Sequence, residues 1–180
     1  MGSQAEQMTV GGRELKVVKK LYRSRGSKAQ KLTDTITHHT ETKRAYYVTK
    51  NGTGDRLWVK EYVDPTFGLG TIQQEFDRCQ QVQGHELVAE RLRVRPVKPL
   101  AVDGNRFLME YVDGEPWGLF ERKVTRHEAS EIVRVLKEWA KTCPLDAYDL
   151  SPNNILVIEW PDGYECVLID FEISDGTVRI

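Results

Sequence analysis

Two carboxylates and one amide stand at spacings that could carry chemistry. Asp149 and Asn154 frame the stretch DLSPNNIL, and Asp170 follows the apolar run CVLI in LIDFE. A carboxylate closing an apolar strand is costly to desolvate unless it binds a cation or several donors. An aspartate can also accept the proton of a reacting hydroxyl, and Asp and Asn oxygens are the hard donors that magnesium takes. For any one of these residues turn chemistry is the plainer explanation, since Asp and Asn fold back onto loop backbone and Ser-Pro-Asn-Asn is good loop composition. Their joint spacing is what weighs against it.

Such residues need a scaffold, and the pattern around them supplies one. ILVIEW and YECVLIDFEI read as strands about a Pro-Asp-Gly turn. Ahead of them Thr125 can cap a helix over RHEASEIVRVLKEWAK. Glu128 completes a capping box there, and Ile132, Leu136, Trp139 and Ala140 form the buried stripe. TIQQEFDRCQQV reads as a helix with Ile72, Phe76, Cys79 and Val82 inward, and HELVAERLRV continues it or bends into a strand. Residues 32–63 read as a β-meander: KLTDTI a strand, THHTETKR a loop, AYYVTKN a strand, NGTGD a hairpin turn and RLWVKEYV a strand. In the last of these a period of two places Lys60 on one face with Trp58 and Tyr62, an odd position for a lysine without a task. VKPLAVDGNRFLMEYV reads as two strands about Asp103-Gly104-Asn105, with DGEPW as a break. Residues 1–12 are expected to fray. Arg13 to Lys31 is basic, either a solvated strand or helix with a loop, or a surface for phosphate or a partner.

The order D-x-x-x-x-N-I-L, strand, turn, strand, I-D-F resembles the catalytic loop and metal motif of the protein-kinase-like superfamily. DLSPNNIL is similar to the corresponding stretch of RIO-type atypical kinases, and LIDFEIS resembles the metal motif of aminoglycoside and choline kinases. The resemblance implies Asp149 as catalytic base and Asn154 and Asp170 as ligands of magnesium or manganese. ATP is the implied co-substrate. Trp58-Val59-Lys60 resembles the end of V-A-I-K, and Glu75, fifteen positions on in the next helix, is the implied partner of Lys60, with Glu86 and Glu90 as fallbacks. FLMEYVDGEP resembles the strand-to-hinge segment that holds adenine. Met109 is then the gatekeeper, Glu110 and Val112 offer main-chain hydrogen bonds, and Glu115 lies near the ribose. A snorkelling strand lysine, a solvent-facing glutamate and a plain edge strand are the ordinary alternatives.

Two departures stand out. No G-x-G-x-x-G is present, so residues 37–44 or RGSKAQK would cover the phosphates, with Lys43 or Arg44 supplying charge. His38 and His39 have no Cys or His neighbours in sequence to make a metal site. The usual H-R-D is Ala147-Tyr148-Asp149, and ten residues follow Asp170, so neither an activation loop nor a large helical lobe is expected.

Composition sets outer bounds. With 180 residues, 26 Lys+Arg against 27 Asp+Glu and a net charge of −1, there is no charge excess to suggest a general nucleic-acid or membrane binder. No apolar run reaches the length of a membrane span. Three separated cysteines, Cys79, Cys143 and Cys166, suit reduced thiols in a cytoplasmic protein, or in an effector acting inside a host cell. The expected fold is α+β: a minimal bilobal kinase-like protein with a frayed tail at 1–12. Residues 13–112 would form an N-lobe of five antiparallel strands and one helix, and 113–180 a reduced C-lobe. The expected activity is ATP- and magnesium-dependent transfer of the γ-phosphoryl group to a macromolecular hydroxyl, a protein Ser/Thr first. A lipopolysaccharide, sugar or other small-molecule acceptor is the alternative, and a pseudokinase acting as a nucleotide-binding interaction module is the alternative from another class.

Overall fold

The computed structural model describes residues 6–25, 41–63, 71–145 and 149–172, with side chains at 20–25 and 41–43 outside the description. The chain runs β1 Gln7–Val10, β2 Arg13–Arg25, β3 Glu41–Lys50, β4 Arg56–Tyr62, α1 Ile72–Gln81, β5 Leu87–Ala89 and β6 Leu92–Pro96. It continues through β7 Pro99–Asp103, β8 Arg106–Glu110, β9 Glu115–Pro116, α2 Trp117–Phe120, α3 Arg126–Thr142, β10 Ile155–Trp160 and β11 Gly163–Leu168. These elements form two compact units. One holds residues 1–73 and 99–111, the other 74–98 and 112–180. The division differs from a single cut after residue 112, because residues 74–98 group with the C-terminal part.

The first unit is a six-stranded antiparallel sheet in the order β1-β2-β3-β4-β8-β7. Two of its strands precede the expected meander: β1 falls in the segment expected to fray, and β2 takes the strand alternative of the basic stretch. Gln-Met-Thr-Val alternates, and Gly11 and Gly12, at φ 56° and 72°, turn it back onto β2. Met8 and Val10 are thereby buried with Leu15, Tyr46, Val48, Val59 and Leu108, and Val17, Leu57, Leu100 and Ala101 pack around them. Each such aliphatic burial contributes about 1.5–3 kcal/mol, enough to hold a four-residue edge strand. The expected loop at 37–44 is corrected from Glu41 onward, where β3 has already begun; KLTDTI and His38–His39 lie outside the described residues.

The second unit is a mixed sheet, β5-β6-β11-β10-β9, in which β6 runs parallel to β11. HELVAERLRV takes the strand alternative, as β5 and β6. DGEPW is more than a break, since Glu115 and Pro116 pair with Val157 and Leu156. α3 packs on β5 and β6 and buries Ile132, Val135, Leu136 and Trp139, and both halves of the Thr125–Glu128 capping box are made. The three cysteines form no disulfide, and burial pushes the Cys166 thiol up to about 12. No described helix is long and apolar enough to cross a membrane.

Candidate functional site

In the second unit the DLSPNNIL loop is tied to the end of β11 by one residue. Asn154 donates its side-chain N–H to the main-chain carbonyl of Asp149 at 3.1 Å, closing the five-residue span between them. Its own carbonyl accepts the Ile169 amide at 2.9 Å, one position before Asp170. Pro152–Asn154 makes a 3₁₀ turn, closed by the Asn154 amide on the Ser151 carbonyl, and Leu150 and Ile155 are fully buried on either side. Asn154 thus anchors the loop through its amide nitrogen and main chain. Asp149 itself is half-buried.

Asp170 is held at φ 65°, in the left-handed region that Asp enters more readily than most residues. Its carboxylate meets two others. Oxygens of Glu75, Asp170 and Glu172 lie within 4.8 Å of one another. Glu75 is only 2 % exposed, on the α1 stripe with Ile72, Cys79 and Val82. Helical spacing puts it there, and Phe76, expected inward, is half-buried beside the stripe. The next turn of α1 brings Arg78, whose Nε–H donates to the Phe171 carbonyl at 2.9 Å. α1 therefore meets the Asp-Phe-Glu segment at two points. Three carboxylates brought this close repel one another unless cations or donors are shared among them, and hard oxygens in this number fit magnesium or manganese.

In the first unit the register fixes which side chains share a face. Lys60 stands between Ala45 and Phe107, and one row along, Trp58 stands between Tyr47 and Met109. The Lys60 ammonium lies 5.6 Å from the centre of the Tyr62 ring. Trp58 stacks on Tyr111 at 5.5 Å and 12°, and Tyr47 tilts against Tyr111 at 5.2 Å. The opposite face carries the core and a buried ionic group. Glu61, 6 % exposed, accepts from Tyr46 Oη at 2.8 Å and Arg106 Nε at 2.9 Å, with Arg44 Nη1 at 3.6 Å. Burial and the Glu61 hydrogen bond push the Tyr46 hydroxyl above its ordinary range.

Several sequence-derived site residues are thereby sorted. Asp149 and Asn154 are joined by the Asn154 bridge, which reaches Ile169 beside Asp170, and Glu75 joins Asp170. Arg44 opposes Glu61 in register and so lies on the face away from Lys60. Lys43 opposes Tyr62, with its side chain outside the description. Lys60 and Glu75 belong to different units. The fallback glutamates are both exposed, Glu86 pairing with Arg93 at 2.7 Å and Glu90 sitting at φ 46°. Met109 and Glu110 end β8 half-buried, and Val112 is buried. Glu115 accepts from Lys123 at 2.7 Å. Sequence reasoning passed over Arg78 and Glu172. Helical spacing from Glu75 could have found the first, and the second stands inside the motif already quoted.

No protein-family model and no curated protein matches the chain. Among solved structures it is similar to the Rio2 kinase of Chaetomium thermophilum, determined as an ADP/Mg2+–phosphoaspartate complex. The TM-score is 0.51 at 17 % identity over 74 % of this chain. The matched region is 45 % of the Rio2 chain, so this protein spans less than half of that kinase. At that identity the likeness concerns the fold alone. The chain has a protein-kinase-like fold of the mixed α and β class.

Proposed function

We propose that the protein is a phosphotransferase that uses ATP and magnesium. The observation that carries the reading is the Asn154 bridge, which ties the main chain of the base candidate Asp149 to Ile169, the neighbour of the metal-ligand candidate Asp170, on a kinase-like fold. Phosphoryl transfer asks little covalent chemistry of a protein. It needs an oriented hydroxyl and neutralised phosphate oxygens. Asp149 accepts the acceptor's proton. Asn154 and Asp170 hold magnesium or manganese, with the carboxylates of Glu75 and Glu172 adding negative charge to the same place. Magnesium, when bound, supplies positive charge to the β- and γ-phosphate oxygens. Lys60 takes the α- and β-phosphates, and the main chain of Glu110 and Val112 takes the base. The favoured acceptor is a protein Ser/Thr hydroxyl.

A second reading comes from the phosphoaspartate of the similar Rio2 complex. A carboxylate oxygen of the protein itself would attack the γ-phosphorus, ADP would leave, and water would later release phosphate. One experiment covers both readings. The protein is incubated with γ-labelled ATP and magnesium, alone and with a cell lysate, and labelled products are treated with hydroxylamine. Hydroxylamine-resistant label in lysate protein supports Ser/Thr transfer, and labile label on the chain itself supports the acyl phosphate. Label in lipid or sugar moves the acceptor. Nucleotide binding with no label anywhere leaves a pseudokinase.

A further inference from the structure

One face of the first unit's sheet carries a feature that the kinase-like resemblance does not call for. In V-A-I-K the second residue before the lysine is alanine; here it is Trp58. Its indole is stacked nearly parallel on Tyr111, the residue that follows Glu110. The Tyr111 ring is further met by Tyr47 at 5.2 Å and by the Arg56 guanidinium at 5.6 Å from its centre. Register places Trp58 directly beside Met109, so the aromatic group stands at the segment assigned to the base and one row from Lys60. One face of each ring is already engaged by the other, and both residues are half-buried. The indole edge is closed too, since the Trp58 Nε1–H is buried and has no hydrogen-bond partner among the described residues. A buried donor left without an acceptor is unfavourable, so this packing is held by its ring contacts rather than by polar fit.

Resting on the phosphotransferase reading, and in place of base binding by the main chain of Glu110 and Val112, we infer that the Trp58–Tyr111 stack fills the place of the nucleobase, so that the phosphoryl donor is recognised through its triphosphate and is not selected for its base. The donor class is then nucleoside triphosphates in general. Lys60, one row along the same face, keeps its role at the phosphates.

The test is titration calorimetry of the full chain in magnesium with ATP, GTP, CTP, UTP and inorganic tripolyphosphate. The four nucleotides are expected to bind within about threefold of one another, and tripolyphosphate within about tenfold of ATP. Trp58→Ala opens the base position and should raise the preference for ATP over tripolyphosphate by about tenfold, the order of one base–aromatic contact. Trp58 lies outside the core cluster of this unit, and Tyr111→Ala tests the same stack should the first variant fail to fold. A wild-type preference for ATP over UTP beyond about tenfold would overturn the inference while leaving the phosphotransferase reading intact. So would unchanged discrimination in a folded Trp58→Ala or Tyr111→Ala protein. If none of the five binds, the phosphotransferase reading fails and the inference fails with it.

Discussion

Arg78 on α1 donates its Nε–H to the main-chain oxygen of Phe171 at 2.9 Å, across 93 positions of sequence. The bond clamps the peptide that joins Asp170 to Glu172, while Phe171 itself is fully buried. Arg78→Ala leaves that carbonyl without its guanidinium partner and lets the two carboxylates drift. A charged hydrogen bond of this kind is worth about 1.5–3 kcal/mol, so the magnesium concentration needed for nucleotide binding should rise roughly tenfold. A magnesium titration of nucleotide affinity checks this, and an unchanged midpoint would reduce Arg78 to a structural contact.

Asp170 joins chemistry to an unusual backbone, and the choice of variant separates the two. Asn tolerates the left-handed region nearly as well as Asp and relieves carboxylate repulsion, so Asp170→Asn should melt at or above the wild-type temperature in the absence of metal. It should lose the thermal shift given by magnesium and ATP together. Asp170→Ala should lose the same shift and also melt lower, because a Cβ without a local hydrogen bond strains φ 65° by about 1–2 kcal/mol. A full shift in Asp170→Asn would take this residue out of the metal set.

Asp149→Ala is expected to behave otherwise. A general base acts on the acceptor, so nucleotide affinity should stay near the wild-type value while single-turnover transfer falls about 10²–10⁴-fold. Lys60→Met reverses the pattern, weakening nucleotide binding with little change in stability, because the apolar stem keeps its packing. Asp149→Ala retaining transfer within about threefold of wild type would assign the proton to another group.

The α3 cap makes the acid limb of stability testable. Thr125, through its hydroxyl and then its amide, holds the Glu128 carboxyl below its ordinary value, and Tyr164 Oη donates to it as well at 2.9 Å. A carboxyl depressed in the folded state contributes stability that is present above its unfolded value and is lost as pH falls through the folded one. The loss therefore sets in below pH 4.5. Thr125→Ala should lower the melting temperature by about 2–4 °C at neutral pH and flatten the dependence below that point. Melting curves from pH 3 to 7 compare the two proteins, and parallel acid limbs would show that the Thr125 contacts do not set the Glu128 titration.

What could be determined from the sequence alone was whatever a short window encodes. The α3 helix with its Thr125–Glu128 box, the β10–β11 hairpin and the alternation that puts Lys60 with Trp58 each depend on local period, turn residues and capping. The D-x-x-x-x-N spacing before a strand and an I-D-F was enough to point toward a kinase-like fold. Tertiary structure decided the rest, because pairing over long separations depends on which surfaces find partners. The parallel pairing of β6 with β11 has no local signal, and the Gln7–Val10 strand becomes stable only when Met8 and Val10 meet Val59 and Leu108. Register alone turned Arg44 toward Glu61 and away from Lys60, since a shift of one residue flips a strand's side chains to the other face. Glu75, polar in composition and apolar in position, could be recognised as part of a carboxylate group only once α1 lay beside Asp170 and Glu172.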